Sequence, residues 1–201
     1  MIQIKKTILT LVALLAISTG AWAEGYYDIN IHFDPVYRPE FTNFMCDVMG
    51  HDMPSGTLNL SVDGVSKGSF AVDGQMVNGD IAPVDAGDHT WAAEFKPEGG
   101  GEKFKANGDF TINKAYTEII YNGSTSIDLG DGESTELEVS IFPEGAFELS
   151  YSSTDASVAS ITKELSFRYI IQAKAAGTAT ITFSFAGSKN YEAAEDKTIT
   201  V

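Results

Sequence analysis

Beyond the first two dozen residues, the apolar side chains of this sequence fall on alternate positions. In "YDINIHF" Ile29, Ile31 and Phe33 share one face, and in "TLNLSV" Leu58, Leu60 and Val62 do the same. A period of two is that of a strand with one face buried, and helical periodicity is almost absent. Asp63-Gly64 and Asp73-Gly74 punctuate the early chain. Both pairs tolerate positive φ, so each predicts a tight hairpin turn. Short strands with frequent turns predict an all-β sandwich or barrel.

The alternation also repeats. "AGDHTWAAEF" (Ala86 to Phe95) is echoed by "AGTATITFSF" (Ala176 to Phe185), pairing Ala86 with Ala176, Gly87 with Gly177, Thr90 with Thr180 and Phe95 with Phe185. Downstream, Phe104, Ala106, Asp109, Thr111 and Ile112 match Tyr191, Ala193, Asp196, Thr198 and Ile199; "KPEGGGEK" against the shorter "AGSKN" accounts for the change in offset. Upstream, Phe44, Cys46 and Val48 alternate as Leu137, Val139 and Ile141 do. Two copies of one β unit are expected, residues 24–113 and 114–201, in preference to a single barrel. Each suits a seven-stranded immunoglobulin-like sandwich of about 100 residues. The connection at Lys114 and Ala115 lacks a Gly, Ser or Pro tract, which predicts restricted motion between the units. "YTEIIY" is expected to hold the second unit's first strand.

"YSSTDASVASI" (Tyr151 to Ile161), followed by "AKAAGTATITFSFAGSKNYEAAEDKTITV", resembles the second half of bacterial Ig-like domains of group 2, modules found in intimin- and invasin-type adhesins and in secreted multidomain proteins. "PSGTLNLSVDGVSKGSF", "VDAGDHTWAAEF" and "FKANGDFTIN" in the first unit resemble the related group 3. The resemblance implies two tandem immunoglobulin-like β-sandwiches. "TKELSFRYI" departs from the usual Asn-Gly turn of group 2 and implies a longer hairpin there, and "YYDINIHFDPVYRPEF" matches less well, which leaves the register of residues 24–50 open.

The first residues and the charge add an address. Lys5 and Lys6 precede the apolar run "ILTLVALLAI", and Ala21 and Ala23 flank Trp22. That order reads as a signal peptide, residues 1–23, cut after Ala23. The run falls short of the ~20 apolar residues of a membrane span, and no later segment approaches one, so a soluble mature chain is expected. The chain carries 28 acidic against 13 basic residues, net −15. Such a surface repels nucleic acid and anionic lipid. Cys46 is the only cysteine, so no internal disulfide is available. The chain ends at Val201 directly after the last expected strand. Free secretion, a periplasmic location or retention by another subunit are the expected alternatives.

Candidate chemistry is sparse. Trp91 could stack on a sugar ring, but Trp91, Ala93 and Phe95 align with the apolar set Ile181, Phe183 and Phe185, which predicts core packing. Cys46, between Phe44 and Val48, reads as a buried inert thiol, and a metal set from Cys46, His51 and Asp52 is the alternative. His32, His51 and His89 lie in separate segments without H-x-x-x-H spacing. The turn "DLGDGE" offers Asp128, Asp131 and Glu133 to calcium, but lacks the EF-hand pattern and reads as an ordinary turn. "YSSTDAS" holds no G-x-S-x-G elbow, and its hydroxyls are expected to cap a turn. "EGGGE" is expected at a hairpin tip. No catalytic, cofactor or metal residue is assigned. The expected function is a non-catalytic exported module for adhesion or spacing, with an unknown protein or glycan as partner. The rival is a glycan-binding accessory protein using loop aromatics such as Tyr26, Tyr27, Tyr37 or Tyr169; a small hydrolase rests only on the surplus of carboxylates.

Overall fold

The computed structural model describes residues 27–50, 54–144 and 147–201. The expected signal peptide, together with Tyr26, His51 and Asp52, lies outside them. Among the described residues there are strands and no helix. The first seven strands are β1 (Tyr27–Phe33), β2 (Thr42–Gly50), β3 (Ser55–Val62), β4 (Val65–Asp73), β5 (Met76–Ile81), β6 (Gly87–Pro97) and β7 (Phe104–Ile112). They form two antiparallel sheets, β1-β2-β5 and β4-β3-β6-β7. Alternation sends Ile29, Ile31, Phe44, Cys46 and Val48 from one sheet, and Leu58, Leu60, Val62, Trp91, Ala93 and Phe95 from the other, into one core. The inward faces expected for these strands are the observed ones.

The next eight are β8 (Glu118–Ile120), β9 (Ser134–Glu138), β10 (Ser140–Phe142), β11 (Ser150–Ser153), β12 (Ala159–Lys163), β13 (Arg168–Ala173), β14 (Thr180–Phe185) and β15 (Ala194–Thr200). β9 and β10 are one strand interrupted at Val139: β9 pairs β13, which pairs β12, while β10 pairs β8. The facing sheet is β11-β14-β15. Counting β9 and β10 together, this is the strand order of a constant-type immunoglobulin sandwich. A second core gathers Leu137, Val139, Ile141, Tyr169, Ile171, Ile181, Phe183 and Ile199. The chain is thus all-β, with tandem immunoglobulin-like sandwiches.

Two expectations are corrected. Asp63-Gly64 makes a two-residue hairpin with φ of 50° and 75° and joins the paired strands β3 and β4. Asp73-Gly74 does not. β5 pairs β2 instead, and Gly74, at φ 105°, donates its N–H to the Pro54 carbonyl (2.8 Å) as the chain crosses from one sheet to the other. The repeat also loses step in its last strand. Trp91 stands opposite Gly108, so the alignment would put Glu195 opposite Ile181, yet Ile199 stands there. The offset is already present at the hairpin end, where Phe104 stands opposite Phe95 but Ala194 opposite Phe185, and a bulge between Phe183 and Phe185 adds one residue more. In the first unit Trp91 packs on Gly108, where a Cβ would lie 2.9 Å from its Nε1.

Candidate functional site

The structure scatters the residues in which chemistry was sought. Trp91 is 7% exposed and lies against Gly108, inside the sandwich. The Cys46 thiol is fully buried, and burial, reinforced by Asp47, pushes it up to about 12. Between Phe44 and Val48 it packs into the first core as a small apolar side chain. No group of three or more His, Cys, Asp or Glu side chains converges among the described residues. In the "DLGDGE" turn, Glu133 Oε2 accepts the Gly130 N–H (2.8 Å), so that carboxylate closes the turn on itself. "YSSTDAS" caps as expected: Asp155 Oδ1 accepts the Ser157 N–H (2.9 Å), and Ser153 Oγ donates to the Ala159 carbonyl (2.6 Å).

The aromatics proposed for glycan stacking are corrected. Tyr169 is 1% exposed, on β13 at the centre of its sheet. Tyr27 begins β1 and packs edge-on against Phe95 and Phe104, with ring centres 5.1 and 5.0 Å away. Tyr37 meets Tyr191 of the second sandwich edge-on at 5.4 Å. Tyr26 lies outside the described residues. Tyr169 is buried and Tyr27 lies in a strand; Tyr37, in the loop between β1 and β2, is half-buried. The alternation of Tyr169, Ile171 and Ala173 carried the signal for the first of these.

Two features remain, and the first joins the sandwiches. The turn before β6 meets the turn between β14 and β15: Asn190 Nδ2 donates to Asp85 Oδ1 (2.9 Å), Ala86 N–H donates to Asn190 Oδ1 (2.8 Å), and Lys189 Nζ pairs with Asp85 Oδ2 (2.5 Å). The hydrogen bond from Lys189, then that from Asn190, holds the Asp85 carboxyl below its ordinary value. His89 supports the turn from behind, with Nδ1 2.7 Å from Asp63 Oδ2 and Nε2 2.8 Å from the Asp85 carbonyl. Both ring nitrogens are engaged in these contacts. Ala115 N–H donates to the Asn190 carbonyl (2.8 Å), and Lys114 Nζ donates to the Ser188 carbonyl (2.7 Å). The connection is therefore pinned on both sides.

The second feature is an open groove of about 1000 Å³ in the second sandwich. It follows the interruption of β9 and β10 at Val139, with Ile120 to Gly123 on one side and Lys163, Ser166 and Phe167 on the other. Sequence reasoning missed it because no single segment forms it. It exists where β8 stops pairing and the chain departs.

No protein-family model matches this chain, and no curated protein matches it. Among solved structures, the fibronectin(III)-like modules of Clostridium thermocellum CbhA are similar at 10% identity, over 85% of this chain and 92% of theirs, with a TM-score of 0.33. A chimeric titin Z1Z2-Z1Z2 tandem is similar at 12% identity, over 88% of this chain and 97% of that one, with a TM-score of 0.31. Parabacteroides merdae β-glucuronidase matches at 11% identity and a TM-score of 0.32 over 90% of this chain, which spans 24% of that enzyme. The fold assignment rests on the strand order and the two cores.

Proposed function

We propose that the protein is an exported, non-catalytic module of two immunoglobulin-like sandwiches, residues 24–113 and 114–201, that serves as an adhesion or spacer unit at the cell surface or beyond. Cleavage after Ala23 would release the mature chain, and the quoted motifs ally its halves with group 3 and group 2 bacterial Ig-like domains. The observation that carries the reading is the pinned junction. A spacer must hold its ends at a fixed separation, and the contacts of Asp85 and Ala86 with Lys189 and Asn190 oppose the hinge motion that is the default between domains. Residual dipolar couplings on the mature protein test it. One alignment tensor is expected to fit both sandwiches, and two independent tensors would overturn the spacer reading. A glycan array is expected to stay at background, since Tyr169 is buried and Tyr27 and Tyr37 are engaged by neighbouring rings. Mass spectrometry of the exported protein is expected to find Glu24 at its N-terminus.

A further inference from the structure

Beside the groove, an edge of the second sandwich has no partner strand among the described residues. β8 accompanies β10 for three residues, pairing Glu118 with Phe142, Ile119 with Ile141 and Ile120 with Ser140. The chain then leaves that sheet, and Ile127 N–H donates to the Thr200 carbonyl at the edge of β15 (2.9 Å). Among the described residues β9 therefore has β13 on one side and no strand on the other. In an antiparallel ladder the main-chain groups of successive residues point to opposite sides. Val139 N–H donates to the Phe167 carbonyl (2.8 Å), and Ala173 N–H to the Glu133 carbonyl (2.9 Å). The odd-numbered positions of β9 thus face β13, and Ser134, Glu136 and Glu138 direct their N–H and C=O groups toward the side that β8 has vacated.

The surroundings of that edge select the strand that could fill it. The groove is lined by Glu136, Glu138, Glu144 and Glu148, with Lys163 as its one basic residue. Arg168 pairs with Glu136 (2.8 Å) and Lys163 with Glu148 (3.4 Å), which leaves Glu138 and Glu144 without an ion-pair partner among the described residues. Ile120 and Phe167, 37% and 47% exposed, add apolar surface. A second copy of this chain is a poor occupant, because each copy carries a net charge of −15. We propose that the groove takes an extended cationic segment of a partner protein, which adds a strand to the free edge of β9 and sets Lys or Arg side chains against Glu138 and Glu144. The proposal names the partner class within the adhesion reading and rests on it.

The test uses the mature, isotope-labelled protein and a capped peptide of alternating lysine and valine, about ten residues long. Saturable shifts of the Ser134, Glu136 and Glu138 amides are expected. The E138K/E144K double variant, at exposed sites and checked for unchanged spectral dispersion, is expected to bind roughly tenfold more weakly. A glutamate–valine peptide should give no shifts. A lysine–valine peptide with alternate N-methylated amides keeps its charge but cannot form the ladder, and should lose the β9 shifts. Equal binding of the methylated peptide, shifts centred elsewhere, or no saturable binding would overturn the proposal. Such a failure leaves the module reading standing, because that reading is measured on the peptide-free protein through the alignment of its two sandwiches.

Discussion

The two sandwiches share their β6–β7 and β14–β15 hairpins and a core of alternating apolar residues, yet they place the fourth strand in different sheets. In the first, β4 pairs β3 and β5 crosses over to β2; in the second, β12 leaves β11 and pairs β13. The position of the tight turn decides. Asp63 and Gly64 reverse the first unit's chain in two residues, so β4 is committed to the strand it has just left. In the second unit the equivalent connection is the wider turn closed by Asp155, which carries the chain to the other sheet. Reversal waits until Glu164 to Phe167, where Glu164 N–H donates to the Arg168 carbonyl (2.9 Å). The core pairs differ as well: Trp91 is accommodated by Gly108, Ile181 by Ile199.

The separateness of the cores is the most consequential part of this comparison. Phe95→Ala should cost the first sandwich about 3–5 kcal/mol, and Phe183→Ala should do the same to the second, since both rings are fully buried. Unfolding followed by reporters in each half is expected to show one half moving far more than the other. Equal shifts in both halves would mean a single cooperative core.

The pairing of ring with glycine sharpens it further. Gly108→Val should destabilise the first unit by about 1–3 kcal/mol through the clash with the Trp91 indole, while Ile199→Val in the second should cost only about 0.5–1.5 kcal/mol. Similar losses, read from denaturant midpoints, would contradict the close packing of Trp91 on Gly108. Gly64→Val, at φ 75°, forces a β-branched residue into the left-handed region and should cost roughly 1–2 kcal/mol in the first unit alone.

Acid should act at the junction before the cores. Asp85 is held below its ordinary value by Lys189 and then Asn190. A depressed carboxyl contributes fully above the ordinary value of about 4 and loses that contribution as pH falls through its lowered folded value. Inter-unit alignment is expected to hold at neutral pH and to loosen only below about pH 4. Asp85→Asn should remove that pH dependence.

Local alternation made most of this fold legible. It assigned the inward faces of β1, β3, β6 and β14, and placed Trp91 and Cys46 inside. Turn chemistry was legible only in part. Asp73-Gly74 has the same residues as Asp63-Gly64, but a turn fixes where the chain bends, and the sheet it next joins depends on strands far away in sequence. The repeat misjudged the register of β15 because motif letters such as Asp109 and Asp196 record local likeness, while the pairing follows the span of the hairpin and the bulge between Phe183 and Phe185. The junction and the groove were invisible for a related reason. Asp85 meets Asn190 across more than a hundred residues, and the edge of β9 has no partner among the described residues because β8 ends at Ile120.

Cross-strand proton contacts in the mature protein test the central claim most directly. The account predicts contacts between Asn59 and Ser69 across β3 and β4, and between Ile161 and Ile171 across β12 and β13. A ladder joining β11 to β12 would contradict it, because the two sandwiches would then place their fourth strands alike.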